Sequence, residues 1–457
     1  MHKDVVMDVF GAALRAVDPY HAVLQALRSE QVARLLDGAG AIYVLGAGKA
    51  GAAMARAVED ALNGRITGGL VVVKEGYATT AIATATDAGI GGAPLERVRI
   101  VEAGHPVPDD RGASAAAHML QMASEAGRRL DAVVLCLISG GGSALLSLPV
   151  EGVSLADLQT TTQLLLRAGA TIVELNAVRK HLSRVAGGQL ARAAAPAPVL
   201  SLILSDVVGS PLDVIASGPT APDPTTYADA LAVLERYGLI SKVPTPVLAW
   251  LRKGAAGHLP ETPKPGAPLF DNVTNIVVAD NITAVEGAAR RARELGLDAL
   301  VISTYVEGEA REVGKVLASV AKEVAAHGRP VKRPGCVLFG GETTVTVRGC
   351  GVGGRNCELT LAAALALDGW GADVVVASLA TDGGDGISPG AGAIADGTTI
   401  SRARALGLDA HAALADNDSY TFWERLGDAI VTGPTGTNVN DLMAAFVFRD
   451  QSSEQRR

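Results

Sequence analysis

The feature that most constrains this 457-residue chain is a unit it repeats: a short β-branched run, a glycine turn, then an alanine-rich helix. The unit reads AIYVL-GAGKAG-AAMARAVEDAL over 41–62 and AVVLCLI-SGGGSALLSL over 132–148, and VLSLILSDVVG follows over 199–209. Strands that are apolar at every position are covered on both faces, which implies a parallel sheet between helices. Aromatic residues are only 4% of the chain, so Ala, Val, Leu and Ile must fill the core. The length suits two domains of this kind. The expected class is therefore α/β.

The N-terminal domain, 1–242, is expected to be Rossmann-like, a mostly parallel sheet flanked by helices. Residues 243–271 collect prolines, glycines and charges and mark the boundary. The C-terminal α/β domain, 272–457, is expected to hold a mixed sheet, because CVLFGGETTVTVRG alternates Thr and Val around glycines like an antiparallel pair. A largely helical stretch, 155–191, separates the second and third strands.

The net charge is −8 and no dense Lys/Arg run occurs, so no nucleic acid is expected as a partner. The basic end, Gln455-Arg456-Arg457, reads as a frayed terminus. Cys136, Cys336, Cys350 and Cys357 form no CxxC pair and read as reduced thiols. The first residues, MHKDVVMDVFGAALRAV, pattern as an amphipathic helix and not as a signal peptide. No apolar run approaches the roughly 18 residues of a membrane span. These features predict a cytoplasmic protein that binds small molecules, with an oligomeric state that the sequence does not specify.

Gly46-Ala47-Gly48-Lys49-Ala50-Gly51 has the G-x-G-x-x-G spacing of a dinucleotide loop, and Glu75 follows later than that fingerprint's usual acid. A dehydrogenase is one reading. Lys49 favours another, since a cation inside the loop suits a phosphoryl group that develops charge. In Ser139-Gly140-Gly141-Gly142-Ser143, three consecutive glycines suggest backbone donors gathered around an anion, with two hydroxyls beside them. Asn176, Arg179 and Lys180 fall at i, i+3 and i+4 of a helix and either clamp an anion or form a solvated face. Asp206 stands where a parallel strand meets its loop, suited to magnesium, to proton transfer, or to a helix cap. Arg355 lies in a glycine setting as a fork for phosphate or carboxylate. Asp382 and Asp385 form a weak cation site or ordinary turn chemistry. There is no Walker A loop and no G-x-S-x-G elbow, and His105, ahead of Pro106, reads as structural.

Taken in order, VLGAGKA, SGGGSALL, LNAVRKHLS, LSDVVG, VIASGPT, DPTT, FGGETTV, GGRN, ATDGGDG and TGPTGTNVND resemble the class II glycerate 2-kinases. The resemblance runs from Val44 to Asp441. It implies a Rossmann-like domain followed by a MOFRL domain, and ATP-dependent phosphorylation of the 2-hydroxyl of D-glycerate with Mg²⁺ in an interdomain cleft. It also implies that Lys49 and Arg355 are essential, serving the phosphoryl group and the substrate carboxylate. Gly46, Gly48 and Ser139–Ser143 are then expected to bind anionic groups, and Asp206 to serve magnesium or the hydroxyl proton. Cys357 stands where many members have glutamine. Members often carry the label hydroxypyruvate reductase, so an NAD(P)H-dependent reductase is the alternative.

Overall fold

A computed structural model describes residues 2–78 and 94–449, so the basic end lies outside the described residues. The chain forms two compact units, one of residues 19–278 and one that joins 1–18 to 279–457.

In the first unit the expected parallel strands are present. They are β1 (Ala41–Ala47), β2 (Ile66–Lys74), β3 (Val98–Ala103), β4 (Ala132–Ile138), β5 (Val199–Leu204) and β6 (Val273–Ala279). Their order is β3-β2-β1-β4-β5-β6, and β1 to β5 pair in parallel. Every residue of β1, β4 and β5 is buried, which is why their sequences carry no alternation. Helix Gly51–Leu62 packs on this sheet with Gly51 against Val71 and Val73 of β2, where a Cβ would stand 2.7 Å from Val71 Cγ1. Three of the helices that follow are started by capping boxes: Ser154 with Asp157, Thr171 with Glu174, and Thr226 with Asp229. The strand order reverses between β1 and β4, so the loops after these strands lie side by side at one end of the sheet. Crevices that bind ligands open at such a point in doubly wound folds.

The second unit holds β7 (Asp298–Glu309), β8 (Gly335–Thr344), β9 (Val374–Ala380), β10 (Gly392–Asp396), β11 (Ala429–Ile430) and β12 (Asp441–Val447). Their order is β11-β10-β9-β12-β8-β7, parallel only between β7 and β8. The mixed sheet is as expected, but GCVLFGGETT is one strand and not a hairpin. Its antiparallel partner is the distant β12.

Two details of organisation differ from the composition. The helix His2–Ala16 belongs to the second unit, where its buried face meets helix Asn281–Glu294. Gly287 lies so close that a Cβ there would stand 2.6 Å from that of Ala16, and Arg291 Nη2 is 2.6 Å from Asp8. The proline-rich stretch 243–271 opens with helix Thr245–Ala255, and the change of unit comes after Val278.

Candidate active site

The loops after β1 and β4 are tied to each other. Ser139 N–H donates to the Ala47 carbonyl (3.0 Å), Lys49 N–H to the Gly140 carbonyl (2.8 Å), and Ala50 N–H to Ser139 Oγ (3.1 Å). Gly48, at φ 137°, donates to the Val72 carbonyl, and a Cβ there would fall 2.1 Å from Ser139 Oγ. This corrects the expectation for Gly46, Gly48 and Ser139. Gly46 lies inside the paired strand β1, and Ser139 is buried in the tie. These residues let two loops approach; their polar groups do not face a ligand. The N–H groups of Gly140 and Gly141 differ, donating to no protein acceptor among the described residues.

Gly140 makes room for Asp206, whose Oδ2 lies 2.1 Å from where a Cβ would be. Gly141 takes the left-handed conformation (φ 85°), with His105 Nε2 3.0 Å and Lys49 Cγ 3.6 Å from its Cβ position. The three glycines thus bring Lys49, His105 and Asp206 around one loop. Beyond it, Ser143 Oγ lies 2.8 Å from Ser217 Oγ, and Arg179 Nη2 donates to the Ser143 carbonyl at 2.9 Å. Ala216 and Ser217 both have positive φ, an unfavourable conformation for residues with side chains that recurs at functional loops. A cavity of about 290 Å³ opens here, lined by His105, Gly141, Ser143, Arg179 and Asp206 with apolar walls that include Leu175.

The helix Ile172–His181 places its three polar candidates differently. Arg179 faces the cavity, and no carboxylate pairs with it among the described residues. Burial lowers its guanidinium to about 10. Asn176 is buried and accepts from Ser217 Oγ at 2.9 Å, holding the loop rather than facing the cavity. Lys180 points elsewhere, with its Nζ 3.0 Å from Asp213 and 3.5 Å from Asp223. The predicted three-residue clamp therefore reduces to Arg179. Burial and the ammonium groups of Lys49 and Lys74 lower His105 to about 4, so its imidazole is neutral at physiological pH.

In the second unit, Arg355 opens helix Arg355–Leu367 and binds two carboxylates. Nε and Nη2 reach Asp441 at 2.5 and 3.0 Å, and Nη1 reaches Glu342 at 2.7 Å. Asn440 donates to the other Glu342 oxygen at 2.8 Å. Burial opposes the charge, but the two carboxylates outweigh it and hold Arg355 protonated beyond its ordinary range. A cavity of about 560 Å³ adjoins Arg355 and Glu342, with Val345, Val347 and Ile387 in its walls. Asp385 is no cation ligand here: its carboxylate accepts from Asn356 N (2.9 Å) and Cys357 N (2.8 Å), capping the helix. Asp382 accepts from Gly384 N, which is turn chemistry. Among the described residues no group of three His, Cys, Asp or Glu side chains is arranged to hold a metal ion. Cys357 is buried in a core with Trp423, and burial pushes its thiol well above the usual range.

Sequence reasoning read His105 as structural and gave Ser217, Glu342 and Asp441 no role, yet they lie beside the candidate residues. One signal was available for His105, which follows β3 directly at the end of the sheet where the loops converge. Glu342 and Asp441 sat inside motifs already noted, without an assigned partner.

Residues 5–252 match the family model described as a domain of unknown function, DUF4147, and residues 335–441 match that of the MOFRL family. A protein of Pyrococcus horikoshii named glycerate 2-kinase is 41% identical over 451 residues, covering 97% of each chain. An Agrobacterium vitis protein, whose name proposes a hydroxypyruvate reductase, is 42% identical over 447 residues, covering 97% of this chain and 94% of its own. The crystal structure of a glycerate kinase from Thermotoga maritima superposes with a TM-score of 0.85 at 40% identity, covering 97% of this chain and 99% of that one.

Proposed function

This chain belongs to the class II glycerate 2-kinase family, and on that premise we propose that it transfers the γ-phosphoryl group of ATP to the 2-hydroxyl of D-glycerate. The observation that carries the reading is Arg179, a part-buried cation with no carboxylate partner among the described residues, in a cavity large enough for a three-carbon acid. A part-buried charge without a counter-charge is costly, and an arriving carboxylate supplies the missing one. Arg179 holds the glycerate carboxylate. Lys49 and the free N–H groups of Gly140 and Gly141 then neutralise phosphoryl oxygens beside it.

Arg355 acts on an anionic group of the reaction as well. Its arm toward Glu342 is the one that an anion can take over, because the Glu342 side chain is 42% exposed while that of Asp441 is 1% exposed. For magnesium the protein offers few oxygens here, with Asp206 the carboxylate in the first cavity. That fits an ion usually held by one or two carboxylates plus substrate phosphates and water. Bound there, magnesium would neutralise phosphate charge. Among the described residues no helix is long and apolar enough to cross a membrane, in keeping with a cytoplasmic enzyme of small polar solutes.

The reductase reading draws its support from G-x-G-x-x-G. The N–H groups of Gly48, Lys49 and Ala50 are bonded within the protein, which leaves a pyrophosphate few donors in that loop.

The test is direct. With ATP and Mg²⁺, ADP release should depend on D-glycerate and stop with EDTA, and hydroxypyruvate should not oxidise NAD(P)H. Coupled to enolase alone, the product should give phosphoenolpyruvate absorbance. A signal that requires added phosphoglycerate mutase means the 3-hydroxyl is phosphorylated, and NADH turnover without ADP overturns the kinase.

A further inference from the structure

We infer that His105 is a catalytic residue of this reaction, its imidazole touching the acceptor hydroxyl and taking its proton as that oxygen attacks phosphorus. This rests on the kinase reading above. Four facts lead to it. His105 lines the same cavity of about 290 Å³ as Arg179 and Asp206, so a small acid whose carboxylate is held by Arg179 would share that cavity with both other groups. Its Nε2 lies 3.0 Å from where a Cβ of Gly141 would be, on the loop whose Gly140 and Gly141 N–H groups have no acceptor among the described residues. A Cβ at Gly141 would stand only 3.0 and 3.1 Å from two ring atoms, closer than side chains ordinarily pack, so the loop fits closely against the imidazole. No hydrogen bond of the His105 ring to another described residue is present, whereas the buried His181 has both ring nitrogens engaged, with Ala177 and Glu261.

The charges around His105 suit the role. Lys49 and Lys74 act on it from the ends of β1 and β2, and Arg179 and Asp206 share its cavity. On its own loop, Asp109 is paired with Arg111, which also binds Glu75. Burial first, and then the two lysines, keep the imidazole neutral with a lone pair available when no substrate is bound. Incoming carboxylate and phosphate anions oppose those cations and raise its proton affinity just as the hydroxyl must be deprotonated. The step balances: the hydroxyl oxygen forms a bond to the γ-phosphorus, its proton passes to the imidazole, and the bond from that phosphorus to the bridging oxygen breaks to release ADP. The imidazolium then gives up its proton to solvent. Asp206 keeps the magnesium role given to it above.

The experiment compares the intact protein with His105→Gln and His105→Ala in D-glycerate-dependent ADP release. His105→Gln should lower kcat by about 10²-fold or more, the usual range for loss of a general base. The KM values for D-glycerate and ATP should stay within about threefold, because Arg179 and Lys49 still hold the anions. Added imidazole should restore part of the His105→Ala rate. A kcat near that of the parent, or a loss confined to KM, would overturn the assignment. If His105→Gln unfolds, imidazole rescue of His105→Ala decides, and its absence with folded protein counts against the role. An inactive parent protein would instead sink the kinase reading itself.

Discussion

Arg355 grips Asp441 through two bonds, Nε to Oδ2 at 2.5 Å and Nη2 to Oδ1 at 3.0 Å, and the Asp441 side chain is almost fully buried. Removing the guanidinium leaves that carboxylate without a counter-charge. Arg355→Ala is therefore expected to lose stability, on the order of 3 kcal/mol, besides about 10²-fold or more in kcat. Denaturant unfolding and steady-state kinetics separate the two losses. Arg355→Lys keeps the charge without the fork, and should retain more stability than activity. A variant that keeps both with alanine at this position would remove Arg355 from the mechanism.

Lys49 sits in a loop knitted by its backbone, with its Cγ 3.6 Å from the Cβ position of Gly141, a residue that lines the cavity. Lys49→Met should cut kcat by about 10²–10³-fold, the cost of one preorganised contact to developing charge. A change in KM alone would place Lys49 in ground-state binding.

Two adjacent residues should give opposite results. Lys180 is held between Asp213 and Asp223 with its side chain 2% exposed, so Lys180→Met strands buried carboxylate and should cost about 3–5 kcal/mol. Arg179 has no carboxylate partner among the described residues. Arg179→Met should change stability by no more than about 1 kcal/mol, while raising the KM for D-glycerate about ten- to hundredfold, the worth of one charge-assisted contact. Equal stability losses would contradict the placement of these two side chains.

His105 supplies a pH dependence with a definite sign. Its pKa is lowered from 6.5 to about 4 on folding, so between those values the unfolded chain binds more protons than the folded one. The stabilising contribution is fully present above pH 6.5 and is lost as pH falls through about 4. Unfolding midpoints measured at pH 7 and pH 5 should show the parent losing up to about 2 kcal/mol more than His105→Gln. Parallel losses in the two proteins would mean that this histidine titrates normally.

The apolar runs of β1, β4 and β5 determined the parallel sheet from sequence alone, because a strand covered on both faces has no polar side to show. The glycine loops that follow them were legible for the same reason: strand, turn and helix are local, and their residues lie within a few positions of one another. Local spacing also put Asn176, Arg179 and Lys180 on neighbouring positions of one helix. Which of them faces the cavity was decided by Ser217, Asp213 and Asp223, residues more than thirty positions away in sequence that supply partners for two of the three. The same holds for Gly48, whose freedom serves contact with Ser139, and for Arg355, whose carboxylates come from β8 and the start of β12. Hydrophobic periodicity is written along the chain, but the partner of a charge is set by where the sheet order brings distant loops together.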